Sequence, residues 1–329
     1  MNPPRVLFLG RTTLDLLYRL DHLPAEDSKV YARDFQAAPG GPALNAAITH
    51  SLLGGESMLI SAVGGGPWSI PVRSELERHR IALFDLAADT AYETPLCAVL
   101  INAASSTRTI VNPPISTVQL QPLPSTAIGP PVPLGQHEGS VPHPFRVLCE
   151  MGGIPQPSTN PDPQPSHPAA PVLLTDGFHL AETLPFLAAC RTAGAALCLD
   201  GGSWKPGTAE LAPLLTVAIC SERFAIPGVA NDPDSFFAWF TAQGVPHIAL
   251  TRGPRPILCS DRGRRFQIDI AQIDATDTLG AGDVLHGAFV HYFAAGHCFE
   301  SALRKASEAA TRSCQSLGAQ AWTATNAGA

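Results

Sequence analysis

The clearest hydrophobic pattern in the chain follows a glycine-rich stretch near residue 280. Apolar side chains recur there at positions i, i+3, i+4, i+7 and i+8, namely Leu285, Ala288, Phe289, Tyr292 and Phe293. This spacing places them on one face of a helix. Gly296 follows the last of them, and a glycine at that point is typical of a helix end. The pattern therefore predicts a helix that starts at the glycine-rich stretch and ends before Gly296.

Elsewhere the chain alternates between short apolar runs and longer segments with helical spacing. Continuous apolar runs predict buried strands at 6–10, 57–64, 172–175, 196–200, 217–220 and 248–251. Segments that read as helices lie at about 44–52, 181–193, 208–215, 232–243 and 300–317. An alternation of this kind indicates an α/β fold built around a parallel sheet.

Composition narrows the range of partners and compartments. The 329 residues carry a net charge of −7, which disfavours a nucleic-acid partner. The eight cysteines include no Cys-x-x-Cys pair, so neither a disulfide framework nor a zinc site is expected. No apolar run approaches the ~18 residues of a membrane span, and the N-terminus lacks a signal pattern. We therefore expect a cytoplasmic protein that has no membrane partner.

The chemistry of the glycine-rich stretch lies in Asp277-Thr278-Leu279-Gly280-Ala281-Gly282-Asp283. Gly280 and Gly282 lack a Cβ, so the backbone can turn tightly into the helix and approach a ligand. The N–H groups and the dipole of a helix N-terminus favour an anion such as a phosphate. Asp283 would repel that anion, so we expect it to remove a proton from a hydroxyl that attacks the phosphate. The alternative is an acid that the helix dipole alone favours in the first turn.

Two polar side chains in the first fifty residues also suit a ligand site. Asp15 is the only acid in an apolar stretch just past the first predicted strand, where open α/β sheets bind ligands. Gly40 and Gly41 form a second turn into a helix. Asn45 lies in the first turn of that helix, where its amide can cap the helix or hold a polyol hydroxyl. For Asp15 the simpler alternative is a turn or cap residue.

These segments resemble the two signatures of the ribokinase-like (PfkB) carbohydrate kinases. The first is Gly-Gly-Pro-Ala-Leu-Asn-Ala-Ala at 40–47, and the second is Asp-Thr-Leu-Gly-Ala-Gly-Asp at 277–283. Similarity at 14–15, 24–28, 51–54 and 108–111 is strongest to ketohexokinase, and the resemblance covers roughly 5–112 and 172–322. It implies one kinase domain over 1–329, with an α/β, doubly wound, mostly parallel sheet flanked by helices. A small β-lid would come from about 11–40 and 95–112.

The resemblance also implies an activity, the ATP-dependent phosphorylation of a sugar hydroxyl, with Mg²⁺ bridging the phosphates and held largely by water. Asp283 would be the general base, and the backbone of Gly280, Ala281 and Gly282 would stabilise charge on the transferring group. The implied sugar contacts are Asp15, Gly41, Asn45, Arg108 and Asp27, and the implied ATP contacts are Thr251, Arg252, Gly253, Ser221 and Ser307. Asp277 lies where many family members hold a monovalent cation, so K⁺ activation is expected.

Three features depart from the family pattern. Gly-Gly-Gly-Pro-Trp-Ser-Ile at 64–70 replaces the family's Gly-Asp-x-x-Gly, which leaves one wall of the sugar pocket undefined. Ser-Glu-Arg-Phe at 221–224 replaces its Asn-x-x-Glu, so Glu222 is the acid left to act there. A proline-rich insertion at about 113–171 holds half of the 32 prolines. Because proline blocks helix continuation, we expect residues 122–171 to be a mobile surface segment.

The sequence leaves two alternative functions open. A nucleoside kinase of the same superfamily would need an aromatic wall for the base, and 7% aromatic residues neither favour nor exclude one. A sugar- or nucleotide-binding homologue with weak catalysis would explain the two replaced motifs, although the intact Gly-Ala-Gly-Asp speaks against it. The sequence does not identify the sugar or the hydroxyl that is phosphorylated.

The predicted lid generates a test of the oligomeric state. In ketohexokinase-like proteins two lids clasp into a dimer, and the acidic segment at Asp27 then reaches toward the partner's sugar. We therefore expect a homodimer in which Asp27→Ala raises the KM for the sugar more than the KM for ATP. Light scattering at micromolar concentration and steady-state kinetics measure the two effects. A monomer would contradict the clasp, and equal changes in both KM values would remove Asp27 from the sugar site.

Overall fold

A nine-stranded sheet forms the centre of the protein in a computed structural model that describes residues 3–105, 107–124 and 171–315. Its strands are β1 Arg5–Leu9, β4 Glu56–Ser61, β5 Ala82–Asp85, β8 Val172–Thr175, β9 Ala196–Gly201, β10 Val217–Ser221, β11 His247–Arg252, β12 Arg255–Asp261 and β13 Arg264–Ile268. Their spatial order is β13-β12-β11-β10-β9-β8-β1-β4-β5. Neighbouring strands from β11 to β5 run parallel, whereas β12 and β13 are antiparallel additions at one edge.

A second sheet of four strands lies outside this arrangement, and we call it the lid. Its strands are β2 Thr13–Leu20, β3 Asp34–Gly40, β6 Leu96–Asn102 and β7 Thr107–Val111, in the order β3-β2-β6-β7. After β1 the chain leaves the central sheet and enters the lid as strand β2. Asp15 therefore lies on a lid strand rather than in a turn after the first strand.

Helices cover both faces of the nine-stranded sheet. Those in the described ranges are α1 Pro42–Leu52, α2 Ser69–Arg78, α3 Leu180–Thr192, α4 Thr208–Leu211, α5 Pro233–Ala242, α6 Ala281–Ala294 and α7 Phe299–Ser313. Helices α1, α2, α6 and α7 share one apolar cluster, and α3, α4 and α5 share the other. The predicted doubly wound α/β fold is confirmed. Across the described segments, we find no helix whose length and hydrophobicity would let it span a membrane.

The side chains of β1 show how the sheet separates the two apolar clusters. Val6 and Phe8 belong to the cluster of α1, α6 and α7, whereas Leu7 and Leu9 belong to the cluster of α3 and α5. All four are buried. A parallel strand that is covered on both faces needs an apolar residue at every position, which explains the continuous apolar run in the sequence.

The first part of the predicted proline-rich insertion packs against the core. Leu123 is 2% exposed and belongs to the apolar cluster of α3 and α5. The N–H of Gln121 donates to the Leu86 carbonyl at 2.8 Å, and the N–H of Leu123 donates to the Glu182 carbonyl at 2.9 Å. Within the predicted surface segment 122–171, Leu123 is therefore buried, and its burial stabilises the chain at this point. The rest of that predicted segment, 125–170, lies outside the described residues.

Leu123 and Ile115 provide a matched pair for testing this packing. Leu123→Ala removes a buried side chain and should lower the free energy of unfolding by ~2–5 kcal/mol. Ile115 lies in the same segment and is 92% exposed, so Ile115→Ala should change that free energy by less than about 0.5 kcal/mol. Urea unfolding followed by circular dichroism measures both. Equal effects of the two substitutions would show that the segment does not pack on the core in solution.

Candidate active site

A cavity of about 1570 Å³ lies between the lid and the carboxyl ends of the central strands. Open α/β sheets bind their ligands at this edge. The residues predicted from the sequence that border it are Asp15, Gly41, Asn45, Arg108, Ser221, Thr251, Gly253, Gly280, Ala281, Gly282, Asp283 and Ser307. The fold thus gathers both glycine-rich turns, two lid residues and four residues of the predicted ATP set around one space.

The turn before α6 presents backbone N–H groups to the cavity. Gly280 has a φ of 73°, a left-handed conformation that glycine adopts without steric cost. The N–H of Val284 donates to the Gly280 carbonyl at 2.8 Å, so the helix itself does not use the N–H groups of Gly282 and Asp283. Beyond its chain neighbours and its own helix backbone, a Cβ added at Gly282 would meet no atom within 4 Å among the described residues, so this backbone faces open space. An anion can therefore approach the helix N-terminus here.

Close packing of α1 against α6 brings the two glycine-rich turns together. Gly287 on α6 allows the contact, because a Cβ there would lie 2.3 Å from the Ala46 carbonyl oxygen. Asn45, next to Ala46, consequently reaches α6, and its Nδ2 donates to Asp283 Oδ2 at 2.7 Å. The two partners are 238 positions apart in the chain. The bond orients the Asp283 carboxylate and leaves its Oδ1 for a substrate.

Burial and neighbouring charges raise the pKa of Asp283 from 3.8 to about 7. Desolvation is the largest cause, because a carboxylate removed from water loses its hydration. The negative charge of Asp200 raises the pKa further, while the Asn45 hydrogen bond and the charges of His286 and Arg108 oppose the rise. A carboxyl group whose pKa lies near neutrality is well matched to accepting a proton at neutral pH.

Asp200 and His286 are site residues that the sequence prediction did not include. Asp200 lies near the carboxyl end of β9, and its Oδ2 is 3.3 Å from His286 Nδ1. The same ring nitrogen is 2.7 Å from the Gly282 carbonyl, and Nε2 is 3.1 Å from the Ile219 carbonyl. The ring therefore ties α6 to β10 beside the anion-binding turn. The sequence could have indicated Asp200, because it is an acid at the end of a predicted buried strand. It could not have indicated His286, because an isolated histidine in a helix has no distinctive pattern.

Asp15 supplies a fixed carboxylate from the lid. Thr13 Oγ1, on the same strand, donates to Asp15 Oδ1 at 2.7 Å. Burial raises the pKa of Asp15, and the Thr13 hydrogen bond and the charge of Arg11 oppose that rise. A carboxylate that borders the cavity in this way is suited to accept hydrogen bonds from sugar hydroxyls.

Arg108 and Gly41 connect the lid and helix α1 to the same cavity. Arg108 lies on β7, and its Nη1 donates to both the carbonyl and Oγ1 of Thr278 at 3.1 Å. The lid is thereby attached to the turn that precedes α6. Gly41 caps the start of α1, where its carbonyl accepts the Asn45 N–H at 3.0 Å.

Four residues of the predicted ATP set border the cavity on β10, the β11–β12 hairpin and α7. Ser221 Oγ donates to the Gly202 carbonyl at 3.2 Å. Ser307 Oγ on α7 donates to the Arg304 carbonyl at 2.8 Å. Thr251 and Gly253 lie at the hairpin. All of these elements contribute residues to the cavity wall.

Arg252, Asp27 and Asp277 are predicted site residues that do not border this cavity. Nε and Nη2 of Arg252 donate to the Pro256 carbonyl at 2.9 and 2.7 Å, so its guanidinium closes its own hairpin rather than reaching a phosphate. Asp27 is exposed in the loop between β2 and β3. Asp277 accepts the Leu279 N–H at 2.8 Å and shapes the turn before α6.

Comparison with known proteins places the chain in a family of kinases, in agreement with the fold and the geometry of the site. The family model described as pfkB family carbohydrate kinase matches residues 4–126 and 179–326, so the chain belongs to that family. Ribokinase from Bacillus subtilis (strain 168) is 22% identical over 325 residues, which cover 96% of this chain and 94% of that protein. Deoxyribokinase from Salmonella typhi is 33% identical over 64 residues, so the chain spans only 21% of that relative's length and 20% of its own.

A solved structure supports the same fold. Arabidopsis thaliana ribokinase complexed with ribose and ATP has a TM-score of 0.69 to this chain at 17% identity, and the match covers 98% of this chain and 96% of that one. This similarity confirms the ribokinase-like fold. Closeness to ketohexokinase in particular stays a prediction.

The raised pKa of Asp283 generates a test by thermal stability. The folded protein retains a proton on Asp283 up to about pH 7, whereas the unfolded chain loses it near pH 3.8. The stability that this proton contributes is therefore lost as the pH rises through about 7. Asp283→Asn keeps the side chain neutral, so its Tm should exceed the wild-type Tm by more in weakly alkaline than in weakly acidic buffer.

Differential scanning fluorimetry across this pH range measures the difference in Tm. Asp89 is exposed and does not border the cavity, so Asp89→Asn serves as the control for the same change of side chain at another site. A pH-independent difference for Asp283→Asn would contradict the raised pKa.

Proposed function

We propose that this protein transfers the γ-phosphoryl group of ATP to a hydroxyl group of a sugar. The hydrogen bond between Asn45 and the partly buried Asp283 carries the proposal, because it places a carboxyl group of raised pKa beside an anion-binding helix N-terminus. Membership of the pfkB family of carbohydrate kinases supports this reaction. The similar Arabidopsis ribokinase was solved with ribose and ATP, which supports the two substrates.

Asp283 is the general base in this proposal. Its Oδ1 accepts the proton of the sugar hydroxyl while the hydroxyl oxygen forms a bond to the γ-phosphorus. The bond from that phosphorus to the bridging oxygen breaks, and the electron pair leaves with ADP. Negative charge that develops on the transferring group faces the backbone N–H groups of the turn formed by Gly280, Ala281 and Gly282.

The sugar is oriented by Asp15, Gly41, Asn45 and Arg108. Asp15 accepts hydrogen bonds from hydroxyls, and Arg108 keeps the lid attached to Thr278 beside the reacting groups. A closed lid excludes water, which would otherwise compete with the sugar for the phosphoryl group. A ketohexose or a related carbohydrate is the proposed substrate, with Asp27 added from the partner's lid in a homodimer.

In this proposal Mg²⁺ would enter the nucleotide side of the cavity with ATP and would be held largely by water. In the segments the structure describes, no group of three or more His, Cys, Asp or Glu side chains could hold a metal ion. Asp200 and Glu222, acids at this edge, are paired with His286 and Arg255. Mg²⁺ commonly keeps several waters in such sites, and when bound it neutralises charge on the phosphates.

The proposed nucleotide contacts are Ser221, Thr251, Gly253 and Ser307. Arg252 is omitted from this set because the Pro256 carbonyl holds its guanidinium. A monovalent cation such as K⁺ beside Asp277 would act on the turn before α6, whose backbone Asp277 already holds.

Two observations count against the alternative functions. A nucleoside kinase needs an aromatic ring for the base. Phe178 borders the cavity, but Arg11 and Lys205 lie 5.1 and 4.5 Å from its ring centroid, so cations already pack against it. A binding protein without turnover has no need of the Asn45–Asp283 pair. A screen of ADP release over ketoses, aldoses and nucleosides distinguishes these functions.

Asp283→Asn tests the general base directly. The amide cannot accept the hydroxyl proton, so kcat should fall by ~10²–10⁴ while folding is retained. The exposed Asp89→Asn is the control and should keep wild-type turnover. In the wild type, kcat/KM should fall as the pH is lowered through about 7, because the carboxylate form is required. If Asp283→Asn kept more than about a tenth of wild-type turnover, Asp283 would not be the base.

A further inference from the structure

Arg11 is a cation at the lid side of the cavity that the proposed reaction does not use. It follows Gly10 after the end of β1, and its backbone N–H donates to Asp176 Oδ2 at 2.8 Å. Asp176 is buried and also accepts the Phe178 N–H at 2.9 Å, so it links the backbone that follows β1 to the backbone that follows β8. The Arg11 side chain therefore starts from a fixed point, and it borders the cavity together with Asp15.

The guanidinium of Arg11 contacts only weak hydrogen-bond partners in the described segments. Its Nη2 is 3.8 Å from Cys97 Sγ, and its Cζ lies 5.1 Å from the Phe178 ring centroid. A thiol is a weak acceptor and an aromatic face has no lone pair, so most of the five N–H donors keep their hydrogen-bonding capacity. None of the ion pairs within 4.0 Å among the described residues includes Arg11.

Several neighbouring polar groups already have hydrogen-bond partners within the protein. Asp15 accepts the Thr13 hydroxyl, and the carboxylate oxygens of Asp176 accept backbone N–H groups. Asn112 also borders the cavity, and its Oδ1 accepts the Cys97 thiol at 3.2 Å, so its amide nitrogen is the donor that remains. This corner of the cavity therefore offers a ligand the N–H donors of Arg11 and Asn112, beside the Asp15 carboxylate.

We infer that the sugar substrate carries an oxyanion, either a carboxylate or a phosphate, and that Arg11 binds it. This inference rests on the proposed function and adds the chemical class of the substrate. Parallel N–H groups of a guanidinium match two oxygens of a carboxylate or phosphate, whereas a neutral hydroxyl offers only one oxygen to them. In a partly buried position such a charge-assisted pair of hydrogen bonds is stronger than in bulk water.

Three sugars with the same six-carbon framework test the inference, namely fructose, fructose 6-phosphate and 2-ketogluconate. At least one anionic sugar should be phosphorylated with a kcat/KM at least ~10-fold above that of fructose, the range expected for hydrogen bonds to a charged group. Arg11→Leu should lower kcat/KM for that sugar by ~10–100-fold, mainly through KM, and should change the value for fructose by less than ~3-fold. Arg11→Lys keeps the charge but loses the paired donors, so its effect should be intermediate.

Lys205 provides the matched control for loss of a positive charge. Its Nζ lies 4.5 Å from the same Phe178 ring, yet Lys205 does not border the cavity. Lys205→Met should therefore leave the ratio of anionic to neutral kcat/KM unchanged. Circular dichroism shows whether each variant is folded. If Arg11→Leu does not fold, the test uses Arg11→Lys in its place.

Binding of the three sugars without ATP is measured by thermal shift, which separates this inference from the proposed function. Binding of an anionic sugar that depends on Arg11, without consumption of ATP, would support the inference and overturn the kinase function. Phosphorylation of fructose alone, unchanged in Arg11→Leu, would overturn the inference and leave the kinase function intact. An equal loss of kcat/KM for all three sugars in Arg11→Leu would mean that Arg11 only balances the charge of Asp15. That result would also overturn the inference. Absence of both binding and turnover would overturn both.

Discussion

The close contact between α1 and α6 is the constraint on which the candidate site depends. Gly287 has no side chain where the two helices meet, and a Cβ there would overlap the Ala46 carbonyl. Protein interiors are close-packed, so a larger residue would move the helices apart and separate Asn45 from Asp283. The proposed base is thus positioned by a packing contact one turn further along its own helix. A site built on two rigid helices keeps its geometry before any ligand binds.

Burial and neighbouring charges around the Asn45–Asp283 pair have opposing effects on the pKa of Asp283. Burial and Asp200 raise the pKa of Asp283, while His286 and Arg108 lower it, and the result is a value of about 7. His286 also contacts the carbonyl of Gly282, so one ring touches both the acid that raises this pKa and the turn that would bind the phosphoryl group. The chemistry proposed for Asp283 therefore depends on groups contributed by β9, β7 and α6 together.

The lid and the central sheet contribute different groups to the proposed reaction. Asp15 and Arg108 reach the cavity from lid strands, and Arg11 lies at the point where the chain passes from the sheet to the lid. Ser221 and Thr251 come from central strands, and the anion-binding turn precedes a helix packed on that sheet. In the proposed reaction two of the sugar contacts, Asp15 and Arg108, lie on the lid, so changes in the lid can alter substrate choice while the sheet and α6 keep the phosphoryl-transfer geometry.

The sequence by itself determined the features whose signals are local. Apolar runs predicted the buried strands, helical spacing after Asp283 predicted α6, and paired glycines predicted both turns, because backbone geometry and side-chain periodicity depend on near neighbours. Only the tertiary structure decided that Asn45 meets Asp283, that Asp200 joins them, that Arg252 turns to its own hairpin and that Leu123 packs on the core. These contacts depend on where helices and strands cross, and a contact between residues 238 positions apart leaves no periodic pattern in the sequence.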